Sequence, residues 1–150
     1  MTQPEYAQKG IISPEIVSVA DKEQISATEL AADVAAGHTV IVKSRLHDCT
    51  PVGIGRGLKI KVNANLGTSP FSNDPQLELA KLKASVQYGA DTVMDLSTGG
   101  DIQAMRRMIV EASSVPVGTV PVYDAIVHHP GVVDLASDDF LAAIRRHIED

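Results

Sequence analysis

Lys61-Val62-Asn63-Ala64-Asn65-Leu66-Gly67-Thr68-Ser69 is a short apolar run that closes on polar and glycine residues. The same design returns in Ala90-Asp91-Thr92-Val93-Met94-Asp95-Leu96-Ser97-Thr98-Gly99-Gly100 and in Pro116-Val117-Gly118-Thr119-Val120-Pro121-Val122-Tyr123. A helical pattern separates each stretch from the next, which is the βαβαβ alternation of a parallel sheet. Asn65, Met94 and Tyr123 recur at intervals of 29 residues, about one βα unit. They fall where parallel sheets hold ligands, at the carboxyl ends of the strands. The fold class read from this rhythm is α/β.

Working outward, the first strand is read over residues 58–65. Asp74-Pro75 supplies a cap and a proline at the first helical position. Leu79, Leu82 and Val86 follow at i, i+3 and i+7, one buried helical face, and Gly89 ends the helix. The second strand covers residues 91–96. Asp101 caps a helix whose Ile102, Met105 and Ile109 repeat the same spacing. The third strand covers residues 117–120, and pairing ends at Pro121, which cannot donate to a ladder. Ser137 is expected to cap a last helix over residues 138–147.

Residues 1–52 read differently. Ser13-Pro14-Glu15 opens a helix that runs to about Lys22, and Ser26-Ala27-Thr28-Glu29 has the spacing of a capping box. Gly37 should stop that second helix, and Thr39-Val40-Ile41-Val42 is a strand. The expected organisation is a small N-terminal α+β element over residues 1–52, then the first three βα units over residues 53–150. A closed (β/α)8 TIM-type barrel takes about 200 residues or more. Three units make either an open sheet or the first part of a longer barrel. No terminal edge strand follows Tyr123, which favours the barrel.

The composition narrows the functions. With 150 residues, 44% of them hydrophobic, the chain can bury a core. A net charge of −6 argues against nucleic-acid backbone binding. No Trp, three Tyr and two Phe make a base-stacking platform improbable. The basic run Arg56-Gly57-Leu58-Lys59-Ile60-Lys61 reads as the wet face of a strand. No apolar run approaches the roughly 20 residues of a membrane span, and no secretory leader is visible. The single Cys49 forbids an internal disulfide, so a cytoplasmic location is expected.

The motifs divide into chemistry and scaffolding. Gly53-Ile54-Gly55-Arg56-Gly57 runs into a strand rather than opening a helix, so it is a flexible turn and not a dinucleotide loop. Asn63 and Asn65 lie on one strand face. Their amides suit a neutral heterocycle or a sugar hydroxyl, or they tie down the following turn. Met94 is either core or ligand contact. The helix start after Gly99-Gly100 could hold a phosphate, or Asp101 could occupy that field as its cap. Tyr123 can stack and donate a hydrogen bond, or fill a helix–strand corner. His128-His129 are adjacent, point to different faces and make no metal pair. Nothing assembles a nucleophile with a base, so no catalytic residue is assigned and no metal ligand is named.

The three strand-end stretches, together with Thr2-Gln3, Tyr6-Ala7, Lys9-Gly10-Ile11-Ile12 and Pro14-Glu15, resemble the phosphomethylpyrimidine synthase family of thiamine biosynthesis over nearly the whole chain. The resemblance implies a (β/α)8 barrel behind an N-terminal domain, in a homodimer. It implies a radical S-adenosylmethionine enzyme with a four-iron four-sulfur cluster and a divalent metal, zinc in this reading. That enzyme rearranges 5-aminoimidazole ribotide to 4-amino-5-hydroxymethyl-2-methylpyrimidine phosphate, a lyase reaction. The family's substrate-contacting Asn, Met and Tyr fall on Asn65, Met94 and Tyr123. Its metal-binding histidines and cluster cysteines would lie beyond Asp150, so the 150 residues alone are expected to be inactive. Val42-Lys43-Ser44-Arg45-Leu46-His47 replaces a Pro-Ala-Asn-Ile-Asn-His-like segment of the family. Two alternatives therefore stay open. One is 5-hydroxybenzimidazole synthase, which uses the same ribotide in anaerobic cobamide synthesis. The other is a non-catalytic ribotide-binding or assembly module. A small autonomous α/β domain is the plainest reading of all.

Overall fold

Local capping chemistry sets the helices before any packing is considered. In the computed structural model, which describes residues 1–129, 131 and 134–150, the chain divides into two compact units, Met1–Lys61 and Val62–Asp150.

In the first unit α1 (Gln3–Gln8) starts at a capping box. Glu5 N–H donates to Thr2 Oγ1 at 3.4 Å, and Thr2 N–H donates to Glu5 Oε2 at 2.6 Å. The sequence reading did not anticipate this helix. α2 (Pro14–Glu23) begins as expected, with Ser13 accepting from Ile16 N–H at 3.1 Å. α3 (Ala27–Ala35) is capped by Ser26, but the donor is Thr28 N–H at 3.2 Å, one residue short of capping-box geometry. β1 (Thr39–Val42) pairs antiparallel with β2 (Val52–Gly55). β2 corrects the reading of the glycine run as a turn. A Cβ on Gly55 would collide with Thr39, so the glycine allows close strand approach. Ile16, Val19, Leu30 and Val34 form the core.

The expected strand over residues 58–65 forms only at its end. Glu23, at the end of α2, is buried and takes hold of the preceding stretch. It accepts from Lys59 N–H at 2.8 Å and pairs with Lys61 Nζ at 2.9 Å. Burial raises the Glu23 pKa, but these donors outweigh it and leave it below the ordinary value. Because β2 pairs with β1, the division between the units falls after Lys61 rather than after residue 52.

The second unit is a three-stranded parallel sheet in the order β3 (Asn63–Leu66), β4 (Thr92–Asp95), β5 (Val117–Thr119). α4 (Pro75–Gln87) and α5 (Ile102–Ala112) connect the strands, capped by Asp74 and Asp101 as the sequence dictates. Leu66, Leu82, Val93, Met105, Ile109 and Val115 form the core between sheet and helices. α6 (Pro121–Val127) and α7 (Ser137–Glu149) complete the unit. Pro121 ends the ladder by opening α6, a helix the sequence reading missed. Ser137 is the first residue of α7 rather than its cap; Ala136 N–H donates to Asp139 Oδ2 at 2.8 Å instead. Among the described residues no helix is long and apolar enough to cross a membrane.

Strand alternation sorts the sheet into two faces. Ala64, Leu66, Val93, Asp95, Val117 and Thr119 face the helices. Asn63, Asn65, Thr92, Met94 and Gly118 share the other face, where the two asparagines are exposed and the rest half-buried. The architecture is mixed α/β, with the parallel order the rhythm of the sequence implied.

Candidate functional site

The register places Asn65 beside Met94, and Met94 beside Gly118, near the carboxyl ends of the strands. Met94 leans over β5, because a Cβ on Gly118 would lie 3.1 Å from Met94 Cε. A glycine there leaves room for the thioether. Behind this pair the amides form a chain. Thr92 Oγ1 donates to Asn63 Oδ1 at 2.9 Å, and Asn63 Nδ2 donates to Asn65 Oδ1 at 2.9 Å. The face is a shelf of amide, hydroxyl and thioether without a formal charge. Such a surface suits a neutral ring or a sugar hydroxyl.

Tyr123 does not stand on the sheet. It lies in the first turn of α6, 39% exposed, with its N–H donating to Val120 O at 3.0 Å. The structure thus brings Asn65 and Met94 together in the ladder and carries Tyr123 on the helix that follows β5. A cleft of about 710 Å3 in the first unit, lined by residues such as Tyr6, Glu15 and Lys43, contains none of the three.

The loops after β3 and β4 are locked to each other. Thr68, fully buried, donates through Oγ1 to Gly99 O at 2.7 Å and through N–H to Ser97 Oγ at 3.0 Å. Thr98 N–H returns a bond to Thr68 O at 2.8 Å. Gly99 has no space for a side chain, since a Cβ would run into the Ser69 backbone. From α4, Glu78 accepts Gly67 N–H at 2.8 Å. Asp101 accepts from Ala104 N–H at 2.9 Å, so the capping role expected of it is realised at the start of α5.

Asp95 closes β4 on the helix side. Its Oδ1 accepts from Ser97 N–H at 3.0 Å and from Ser97 Oγ at 2.5 Å. Burial pushes its pKa above the ordinary value, and the Ser97 bonds only partly offset that.

Sequence reading missed an ionic network in the helical layer. Arg106 on α5 is 2% exposed, and Asp124 on α6 is 1% exposed. Arg106 donates to Asp124 at 3.0 Å and to Asp150 at 2.6 and 2.8 Å. Arg146 also donates to Asp124, and Arg107 to Asp150 at 2.6 Å. Burial raises the Asp124 pKa, but hydrogen bonds from Arg146 and Arg106 prevail and leave it lowered. Burial and the Arg106 charge lower the His147 pKa against the pull of Asp124. His147 Nε2 lies 2.9 Å from Arg106 Nη1 and 3.1 Å from Asp124 Oδ2, between a donor and an acceptor. His147 Nδ1 lies 2.8 Å from Thr119 Oγ1. The signal was Arg106 itself, a charge set among Ile102, Met105 and Ile109 on an apolar face.

His128 Nδ1 lies 2.9 Å from Asp124 O, and His129 Nδ1 lies 2.8 Å from Gly131 O. Cys49 is buried and unpaired. Among the described residues no group of three or more His, Cys, Asp or Glu could hold a metal ion.

Residues 2–150 match the radical SAM ThiC family. Proteins named phosphomethylpyrimidine synthase are similar throughout. That of Pyrococcus abyssi is 44% identical over 155 residues, covering 100% of this chain and 36% of the relative. That of Thermodesulfovibrio yellowstonii is 46% identical over 154 residues, with the same coverage. That of Methanopyrus kandleri is 51% identical over 138 residues, 88% of this chain and 32% of the relative. The chain spans about a third of the length of these curated relatives. A match over residues 2–150 leaves only Met1 outside it, and the chain belongs to the radical SAM ThiC family.

Proposed function

We propose that this chain is the N-terminal part of a cytoplasmic, homodimeric phosphomethylpyrimidine synthase, supplying an α+β element and the first three βα units of a (β/α)8 barrel. The complete enzyme converts 5-aminoimidazole ribotide to 4-amino-5-hydroxymethyl-2-methylpyrimidine phosphate in thiamine biosynthesis. The observation that carries this reading is the register of Asn65 with Met94 on an open sheet face, in a chain of this family. Parallel sheets are ordinarily covered on both faces. Here α4 and α5 cover one face, and the other carries Asn63, Asn65, Thr92 and Met94. Closing the barrel turns that face inward.

In this reading the Asn65 amide bonds a ring nitrogen or ribose oxygen of the ribotide. Met94 lies against the imidazole, and Tyr123 closes the side toward α6. S-adenosylmethionine and a four-iron four-sulfur cluster supply the radical chemistry when bound. This chain does not fit the cluster, because one cysteine cannot provide its thiolates. It does not fit zinc either, since no ligand group stands among the described residues. The role of residues 1–150 is to bind and orient the ribotide, and alone they are inactive.

Calorimetry of 5-aminoimidazole ribotide with the complete enzyme tests the reading. Asn65→Ala should weaken binding by about 1–3 kcal/mol. Unchanged affinity would overturn the assignment of this face to the ribotide.

A further inference from the structure

The amide chain behind Asn65 has a direction, and that direction says what Asn65 offers a ligand. Asn63 Nδ2 donates to Asn65 Oδ1 at 2.9 Å, so the oxygen of Asn65 is already engaged. Asn63 can present its nitrogen there because its own oxygen faces Thr92, whose hydroxyl donates to it at 2.9 Å. Thr92 is the ladder partner of Asn63, and Asn63 is two residues before Asn65 on the same face. All three side chains are therefore held by the sheet register rather than by a loop. Among the described residues the Asn65 Nδ2 hydrogens have no partner.

We infer that Thr92 and Asn63 are positioning residues that fix Asn65 as a hydrogen-bond donor, so that this part of the site takes an acceptor atom, an unprotonated ring nitrogen or a sugar oxygen. This rests on the proposed function, which gives Asn65 a ligand to contact. Without Thr92 the Asn63 amide loses its orienting bond and can turn over. Asn65 would then meet the ligand with either end of its amide, and affinity would fall although no ligand contact had been removed.

The test is calorimetric binding of 5-aminoimidazole ribotide to the complete enzyme and its variants. Thr92→Val should weaken binding about three- to tenfold, the size of one net hydrogen bond. Thr92→Ser, which keeps the hydroxyl, should restore it to within about twofold. Asn65→Asp keeps the acceptor and loses the donors, so it should bind as poorly as Asn65→Ala. Thr92→Val added to Asn65→Ala should cost nothing further, because a residue acting through Asn65 has nothing left to position. A structural role for Thr92 would instead give the same loss in both backgrounds, and that result overturns the inference. Wild-type affinity in Thr92→Val or in Asn65→Asp also overturns it. If Asn65→Ala itself binds normally, the underlying reading of the site falls, and this inference falls with it.

Discussion

Asp95 shows how much of this site depends on single atoms. Its carboxylate is buried at the end of β4, and one oxygen takes both Ser97 donors. Burial raises its pKa, so the folded chain holds that proton more tightly than the unfolded chain. The associated stability is fully present below the unfolded value of about 3.9 and is lost as pH rises through the folded value. Asn at this position keeps an acceptor for Ser97 N–H and carries no charge. The stability of Asp95→Asn relative to wild type should therefore increase between about pH 4 and pH 7. Urea denaturation at the two pH values measures it, and a constant difference would refute the assignment. The strand-end placement of Asn65 and Met94 was legible at this scale because strand ends recur with the βα repeat. The Asp95 environment was not, because its burial depends on α5 and on a loop bond to Ser97.

Between elements, the contacts that matter join segments far apart in the chain. The β3–α4 and β4–α5 loops interlock through Thr68, Ser97 and Gly99. Gly99→Ala should separate them and destabilise the second unit by about 1–3 kcal/mol, the usual penalty of overpacking; a chemical melt unchanged by the substitution would contradict the interlock. The α5–α6–α7 network should be more sensitive. Arg106→Met removes the buried guanidinium that Asp124 and Asp150 share and leaves them only Arg146 and Arg107 as guanidinium partners, at a cost of about 3–5 kcal/mol. Asp124 is held below its ordinary value, so its contribution is present above about pH 3.9 and lost as pH falls through the folded value. The variant should accordingly flatten the acid limb of the wild-type denaturation curve below about pH 4, and an unchanged limb would show that Arg106 does not contribute to it. The caps at Ser13, Asp74 and Asp101 were readable because they are local chemistry. α1, β2 and α6 were not. Thr2 and Glu5 form a capping box that was passed over, β2 hides in a glycine run, and α6 follows a proline read only as a strand stop. Ser137 misled for the opposite reason, since Asp139 satisfies the helix start without it.

For the whole molecule, the decisive property is a parallel sheet with helices on one face and the side chains of Asn63, Asn65, Thr92 and Met94 on the other. The order β3-β4-β5 was legible from the repeated strand–helix rhythm, and the family follows from residues 2–150. The account predicts that the complete enzyme encloses Asn65, Met94 and Tyr123 in one ligand site. The most direct test is mass-spectrometric identification of the product formed from 5-aminoimidazole ribotide and S-adenosylmethionine by the complete, cluster-reconstituted enzyme. The account predicts 4-amino-5-hydroxymethyl-2-methylpyrimidine phosphate. Formation of 5-hydroxybenzimidazole instead, or no conversion of the ribotide, would contradict it.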